Sequence, residues 1–174
     1  MLSGVIGYYI LVTIGITLGY HRYFSHGEFK ASKLSEIIML LCGVLCGGRS
    51  ALTWAGVHRM HHAYADTDKD PHGTGWTAFL SLWKVKQIPR KFVKDLIKNP
   101  RVMWFHKYGK YIAILAFILF PIQMLIIFFL SYLGFGMLNR FGHKDGKPVN
   151  RWWINLIAPW EGNHEDHHNV SKRT

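Results

Sequence analysis

"YIAILAFILFPIQMLIIFFLSYLGFGML", Tyr111 to Leu138, runs for 28 residues without a charged side chain. Leu2 to Tyr20 is uncharged as well. Apolar runs of about 18 residues or more are long enough to cross a bilayer as helices. The first run is not a cleaved signal peptide by its pattern. It has no basic leader, and its far end feeds into a histidine-bearing segment instead of a small-residue cleavage site. The chain has 174 residues, 49% hydrophobic and 15% aromatic, room for one domain over 1–174. These features predict an all-α, integral membrane, helical protein.

The formal net charge is +11. Its layout favours membrane orientation and anionic headgroups over nucleic acid, for which no motif is present. Lys and Arg concentrate between Lys69 and Lys110, and Lys144, Lys147 and Arg151 follow the long run. Basic loops beside spans mark the cytoplasmic side. The expected localisation is a membrane, multi-pass, with the histidine-rich segments facing the cytoplasm. Cys42 and Cys46 lie one helical turn apart in an apolar stretch and read as small buried residues.

Along the chain, the first helix is expected to end near Tyr20. A second helical pattern runs from Ser35 to about His62, lying at the interface or buried in protein. "DTDKDPHGTG" is loop. Residues 76–110 suit amphipathic interfacial helices. Gly142 to Pro148 is a turn, and Asn150 to Trp160 is aromatic and interfacial.

Eight of the eleven histidines fall in three short stretches: His21 and His26; His58, His61 and His62; His164, His167 and His168. The second and third share the spacing i, i+3, i+4, which on a helix projects all three rings within about 100° of arc. Positions i+3 and i+4 diverge enough to reach two metal ions. The first has the spacing i, i+5, which does not share an α-helical face. So many imidazoles exceed the four ligands of a structural zinc and point to two metals. Histidine suits Fe, Cu, Zn or Ni, so the ligand type alone leaves the metal open. Asp66, Asp70, Glu161, Glu165 and Asp166 lie near enough in sequence to hold ring N–H groups, with Asp70 and Glu161 favoured.

"GITLGYHRYFSH", "HRMHHAYADTDKDPH" and "EGNHEDHHN" resemble the three histidine boxes of the membrane fatty acid desaturases, closest to the delta-9 acyl-CoA and acyl-lipid type. "NRFGH", Asn139 to His143, belongs to the same resemblance. It implies a di-iron centre that activates O2 with two electrons from a cytochrome b5 or a ferredoxin. The reaction removes two hydrogens from a saturated acyl chain, carried as acyl-CoA or acyl-lipid, and leaves a cis double bond. The implied ligands are His21, His26, His58, His61, His62, His143, His164, His167 and His168, with Asn139 acting through a water. Asp70, His72 and Glu161 are expected behind the ligands, and His106 matches nothing in the pattern and reads as interfacial. Lys84, Lys86, Arg90 and Lys91 are expected to meet an acidic donor or anionic headgroups.

The resemblance also implies a chain shortened at both ends. All boxes must meet on one face, so an even number of crossings must separate them. Two crossings need about 40 residues. Residues 111–138 are therefore a short or re-entrant hairpin, or its helices extend further, or the chain is a shortened relative. Related di-iron hydroxylases and oxygenases, and a truncated metal-binding relative without turnover, are the competing functions.

Overall fold

The computed structural model describes residues 1–65, 67–73, 75–80 and 87–171. Asp66, Lys84 and Lys86, named above, lie outside them. The fold is mostly helical. A 25-residue helix, α1 (Leu2–His26), opens the chain, followed by α2 (Lys33–Leu45) and α3 (Ala51–Tyr64). Short helices α4 (Gly75–Leu80) and α5 (Lys94–Ile97) precede the long α6 (Pro100–Leu119) and α7 (Pro121–Phe141). A hairpin of β1 (His143–Lys144) and β2 (Lys147–Pro148) and a last helix, α8 (His164–Ser171), complete it. Leu2–His26 and Pro121–Phe141 are long and apolar enough to cross a membrane.

Helix α1 does not end near Tyr20. From Thr13 to His26 it continues in π register, with backbone bonds reaching back five residues. It stops at Gly27, whose φ of 64° suits glycine, and the Gly27 N–H donates to the Tyr23 carbonyl at 3.1 Å. The pattern from Ser35 to His62 is likewise two helices. Gly47 and Arg49 both have positive φ, and the Ser50 hydroxyl accepts from the Thr53 N–H to start α3.

Backbone contact fixes α1 on α2. A Cβ added at Gly15 would overlap the backbone of Cys42 and Gly43. Neither backbone can move without shifting a helix. Gly15→Ala should therefore cost at least the ~1–3 kcal/mol typical of overpacking, read as a lowered midpoint in thermal denaturation of the detergent-solubilised protein. Tyr20, fully buried beside this contact, donates its hydroxyl to the Leu40 carbonyl at 3.2 Å. Cys42 and Cys46 are buried and unbridged.

Buried Glu36 of α2 accepts from the side chains of Asn99 and Arg101, and Asn99 also caps α6 through its bond from the Arg101 N–H. So α6 starts at the level of polar partners and carries residues 100–110 as well as the apolar run. It turns at Phe120, where Pro121, lacking an N–H, begins α7. The chain then returns: Phe117 packs on Phe128, ring centroids 6.4 Å apart. The hairpin spans helices of 20 and 21 residues, which resolves the length problem of the 28-residue run. Both its ends lie at the same end of the fold. Of the stretch 76–110, the last eleven residues belong to α6.

Helix α7 runs parallel to α1, with Ile126 against Gly4 and Gly134 against the Tyr8 hydroxyl. The expected turn after α7 is a tight hairpin. Asp145 and Gly146 both have positive φ, as an Asp-Gly turn of the primed type requires.

Candidate metal centre

The π register changes the geometry of the first box. On an α-helix, residues five apart point about 140° away from each other. Here each turn closes five residues back, so His21 and His26 stack on one side with ring centroids 5.2 Å apart. The sequence expectation that this pair shares no face is corrected by that register. His58 and His62 lie one turn apart on α3 and bring their Nε2 atoms within 3.0 Å, while His61 points to the other side. On α8, His164 and His168 share one side and His167 faces the other.

Two groups result. His21, His26, His58 and His167 place one ring nitrogen each within 4.8 Å of one another, and so do His61, His143, His164 and His168. His62 sits beside the first group, its Nε2 3.0 Å from those of both His58 and His167. Its ring stacks on His168 of the second group at 4.2 Å. All nine histidines named from sequence are brought together, and positions i+3 and i+4 of each box go to different groups.

Burial, followed by the neighbouring imidazoles, pushes His58, His62 and His164 well below the ordinary histidine range. The same causes push His167 down to about 2. These rings are neutral and offer lone pairs. Glu161 and Asp70 set the tautomers. Glu161, buried with His21, accepts from its Nδ1 at 2.9 Å. Both Asp70 oxygens lie 3.0 Å from His61 Nδ1. Burial raises the Asp70 carboxyl, but hydrogen bonds from His61 and the His72 N–H outweigh it and hold the group below its usual value. With Nδ1–H donated, Nε2 is left for a metal.

The donor set fits metal ions. Facing Nε2 pairs sit 2.8 Å (His21–His167), 2.9 Å (His26–His58) and 3.0 Å (His143–His164) apart. Bonds of about 2.0–2.1 Å to a common ion at right angles give an N···N edge of about 2.9 Å.

His72 does not reach either group through its ring nitrogens. Its backbone N–H donates to Asp70 at 2.9 Å, and its Nδ1 lies 3.4 Å from the Asn139 amide. Burial first, then His61, pushes His72 down to about 3. Asn139 lines a small cavity of about 90 Å³ together with His58, His61 and His164. Trp54, Val57, Phe135 and Leu138 form the apolar side of that cavity. A larger one of about 580 Å³ shares Gly47, Arg49, Thr53 and Phe135 with it and continues between α6 and α7. His106 faces this second cavity and bonds Ser50 at 2.8 Å, a contact that its reading as an interfacial residue did not include.

Arg59, inside the second box, was not singled out from sequence. It donates to the carbonyls of Phe24, Ser25 and Phe92 and to both oxygens of Asp95, tying the end of α1 to α3 and α5. A lone arginine beside histidines was the only available signal. Lys91 is held at Tyr64, 3.1 Å from its hydroxyl. Helix α8 is fastened differently. Among the described hydrogen bonds, its side chains and N-terminal N–H groups reach the rest of the fold through its histidines and through Asn150, which meets the N–H groups of Glu165 and Asp166 and the Asp166 carboxylate.

The chain is similar to several known desaturases. The sn-1 stearoyl-lipid 9-desaturase of Anabaena variabilis is 28% identical over 92% of this chain and 68% of its own length. The enzyme of that name from Synechocystis is 30% identical over 92% of this chain and 58% of its own. A probable acyl-CoA desaturase of Schizosaccharomyces pombe is 31% identical over 92% of this chain and 40% of its own. Over 92% of its length the chain is similar to these acyl-lipid and acyl-CoA desaturases. No protein-family model matches it. The chain spans between 40% and 68% of the length of these three desaturases.

Proposed function

We propose that this desaturase-family chain forms one domain over 1–174 and introduces a cis double bond into a saturated fatty acyl chain, using O2 and two iron ions. The observation that carries this reading is the pair of imidazole groups walled on one side by an apolar cavity. His21, His26, His58, His62 and His167 would hold one ion, and His61, His143, His164 and His168 the other. Bound there, the metals would supply the oxidising power to take hydrogen from an unactivated carbon. An all-imidazole shell suits this because thiolate ligands would themselves be oxidised.

The protein's own part is positional. Asp70 and Glu161 orient rings. Asn139 stands at the cavity wall where a metal-bound water could be held, and His72 braces both Asp70 and Asn139. The cavities of about 90 and 580 Å³, which share Gly47, Arg49, Thr53 and Phe135, would accept an acyl chain. Both acyl-lipid and acyl-CoA carriers occur among the relatives' names, and either is compatible with this cavity. The electrons come from a ferredoxin or a cytochrome b5, whose acidic face the basic surface favours. The histidine groups face the cytoplasm, on a membrane that the chain enters more than once, through α1 and through the α6–α7 hairpin.

Purified protein should carry about two irons per chain, and gas chromatography of lipids from an expressing host should show a new cis-monounsaturated acid. Iron without new double bonds would leave a metal-binding protein without turnover. A hydroxylated acid in place of the alkene would make it a hydroxylase.

A further inference from the structure

Glu161 reaches His21 from a loop with an unfavourable backbone. Trp160, the residue before it, has a φ of 67°, which a bulky side chain adopts only under constraint. The bend sends the indole outward, 71% exposed, and turns Glu161 inward, where it is 6% exposed. Such a conformation persists only where its surroundings fix it. The supports of this loop therefore decide where the carboxylate points.

Those supports come from α1. The hydroxyls of Tyr8 and Tyr9 donate to the carbonyls of Ile157 and Leu156. The Thr17 hydroxyl donates to the Pro159 carbonyl at 3.0 Å, across 142 residues of sequence. Pro159 adjoins Trp160 and lies two residues before Glu161. A helical threonine often turns its hydroxyl back on the carbonyl one turn earlier. Thr17 reaches out of its helix to the loop. Gly15 and Gly19, on either side of it, meet Cys42, Gly43 and Met39 of α2. Thr17 itself is 1% exposed and stands about one turn before His21. One helix thus carries both the ring that Glu161 meets and the hydroxyl that fixes the approach to Glu161.

The other side of the loop is tied independently. The Gly162 N–H donates to the Asn155 side chain at 2.7 Å, and the Gly162 carbonyl accepts from the Arg151 N–H at 2.7 Å.

We propose that Thr17 is a positioning residue for the first histidine group. It fixes the Pro159 carbonyl, holds Trp160 in its left-handed conformation and keeps the Glu161 carboxylate on His21 Nδ1. The His21 Nε2 is thereby left to a metal. This rests on the reading of the histidine groups as metal sites and adds a residue that acts on one of them through another.

Thr17→Val keeps the shape of the side chain and loses the hydroxyl, and Thr17→Ser restores the hydroxyl. Each is freed of metal, shown to elute as a single species in detergent, and titrated with ferrous iron against a chromophoric chelator. Glu161→Ala and the double variant Thr17→Val/Glu161→Ala are run beside them. Glu161→Ala marks which binding step belongs to the first group. Thr17→Val should weaken that step, toward the low end of about 10–100-fold, and leave the other step at the parent's value. Thr17→Ser should return the step to near the parent's. In the double variant, Thr17→Val should add nothing to Glu161→Ala, because a residue acting through the carboxylate has no effect once the carboxylate is gone. An unaltered step in Thr17→Val beside a weakened one in Glu161→Ala overturns the role of Thr17 and leaves the metal reading standing. A further loss in the double variant also overturns it, in favour of an effect through the packing of α1. A parent that binds no iron removes the metal reading and the proposal together.

Discussion

His143→Ala should bind one metal ion per chain fewer than the two expected of the parent, and it should make no measurable unsaturated product. His143 reaches the second group from the tight hairpin after α7, with Nε2 3.0 Å from that of His164. Its ring also packs on His61 and His168, at 5.0 and 5.1 Å. Removing it leaves three imidazoles and an open position. Loss of a partner behind a ligand already costs about 10–100-fold in affinity or activity, so loss of the ligand itself should exceed that range. The first group shares none of these atoms and should keep its ion. Elemental analysis of iron per chain, beside product lipid, reads both halves. His106→Ala is the control for metal content, because its partner is Ser50 and not a ring of either group. A His143→Ala protein with two irons and normal product would take His143 out of the site, together with the pairing of Asn139 and His143.

The second large effect is selective. Glu161→Ala should weaken metal binding at the first group and Asp70→Ala at the second, each by about 10–100-fold. The reason is that Glu161 fixes the tautomer of His21, and Asp70 that of His61. Without its carboxylate each ring can place its proton on Nε2 and lose its lone pair to the metal. A stepwise metal titration followed by a chromophoric chelator should show one weakened step in each variant, and a different one. Equal weakening of both steps, or of neither, would reduce the two carboxylates to packing.

The convergence of the histidines was legible because their spacing is local. Three and four residues on a helix decide which way a ring points, whatever surrounds it. The partition of His58, His61 and His62 between two groups follows from that arithmetic. The π register of residues 13–26 was not legible, since the i, i+5 spacing of His21 and His26 was read on an α-helix. The same holds for the break at 46–50, where Gly47 and Arg49 take positive φ to let α3 turn back over α1. Counting uncharged residues understated the hairpin, because Lys107 and Lys110 are helical although charged. Arg59 was invisible for a further reason: its partners are mostly carbonyls, and every residue has one.

The anchoring of α8 has a consequence for biogenesis. Three of the nine imidazoles lie in the stretch 164–168, which leaves the ribosome after everything else that builds the two groups. Neither group is complete until that helix has been made. Until then α8 is held by Asn150 and by contacts between bare rings, whereas an ion would cross-link it to α1, α3 and the hairpin. Residues 164–171 should therefore be cut sooner by added protease in metal-free protein than in metal-loaded protein, which limited proteolysis of the two forms reads.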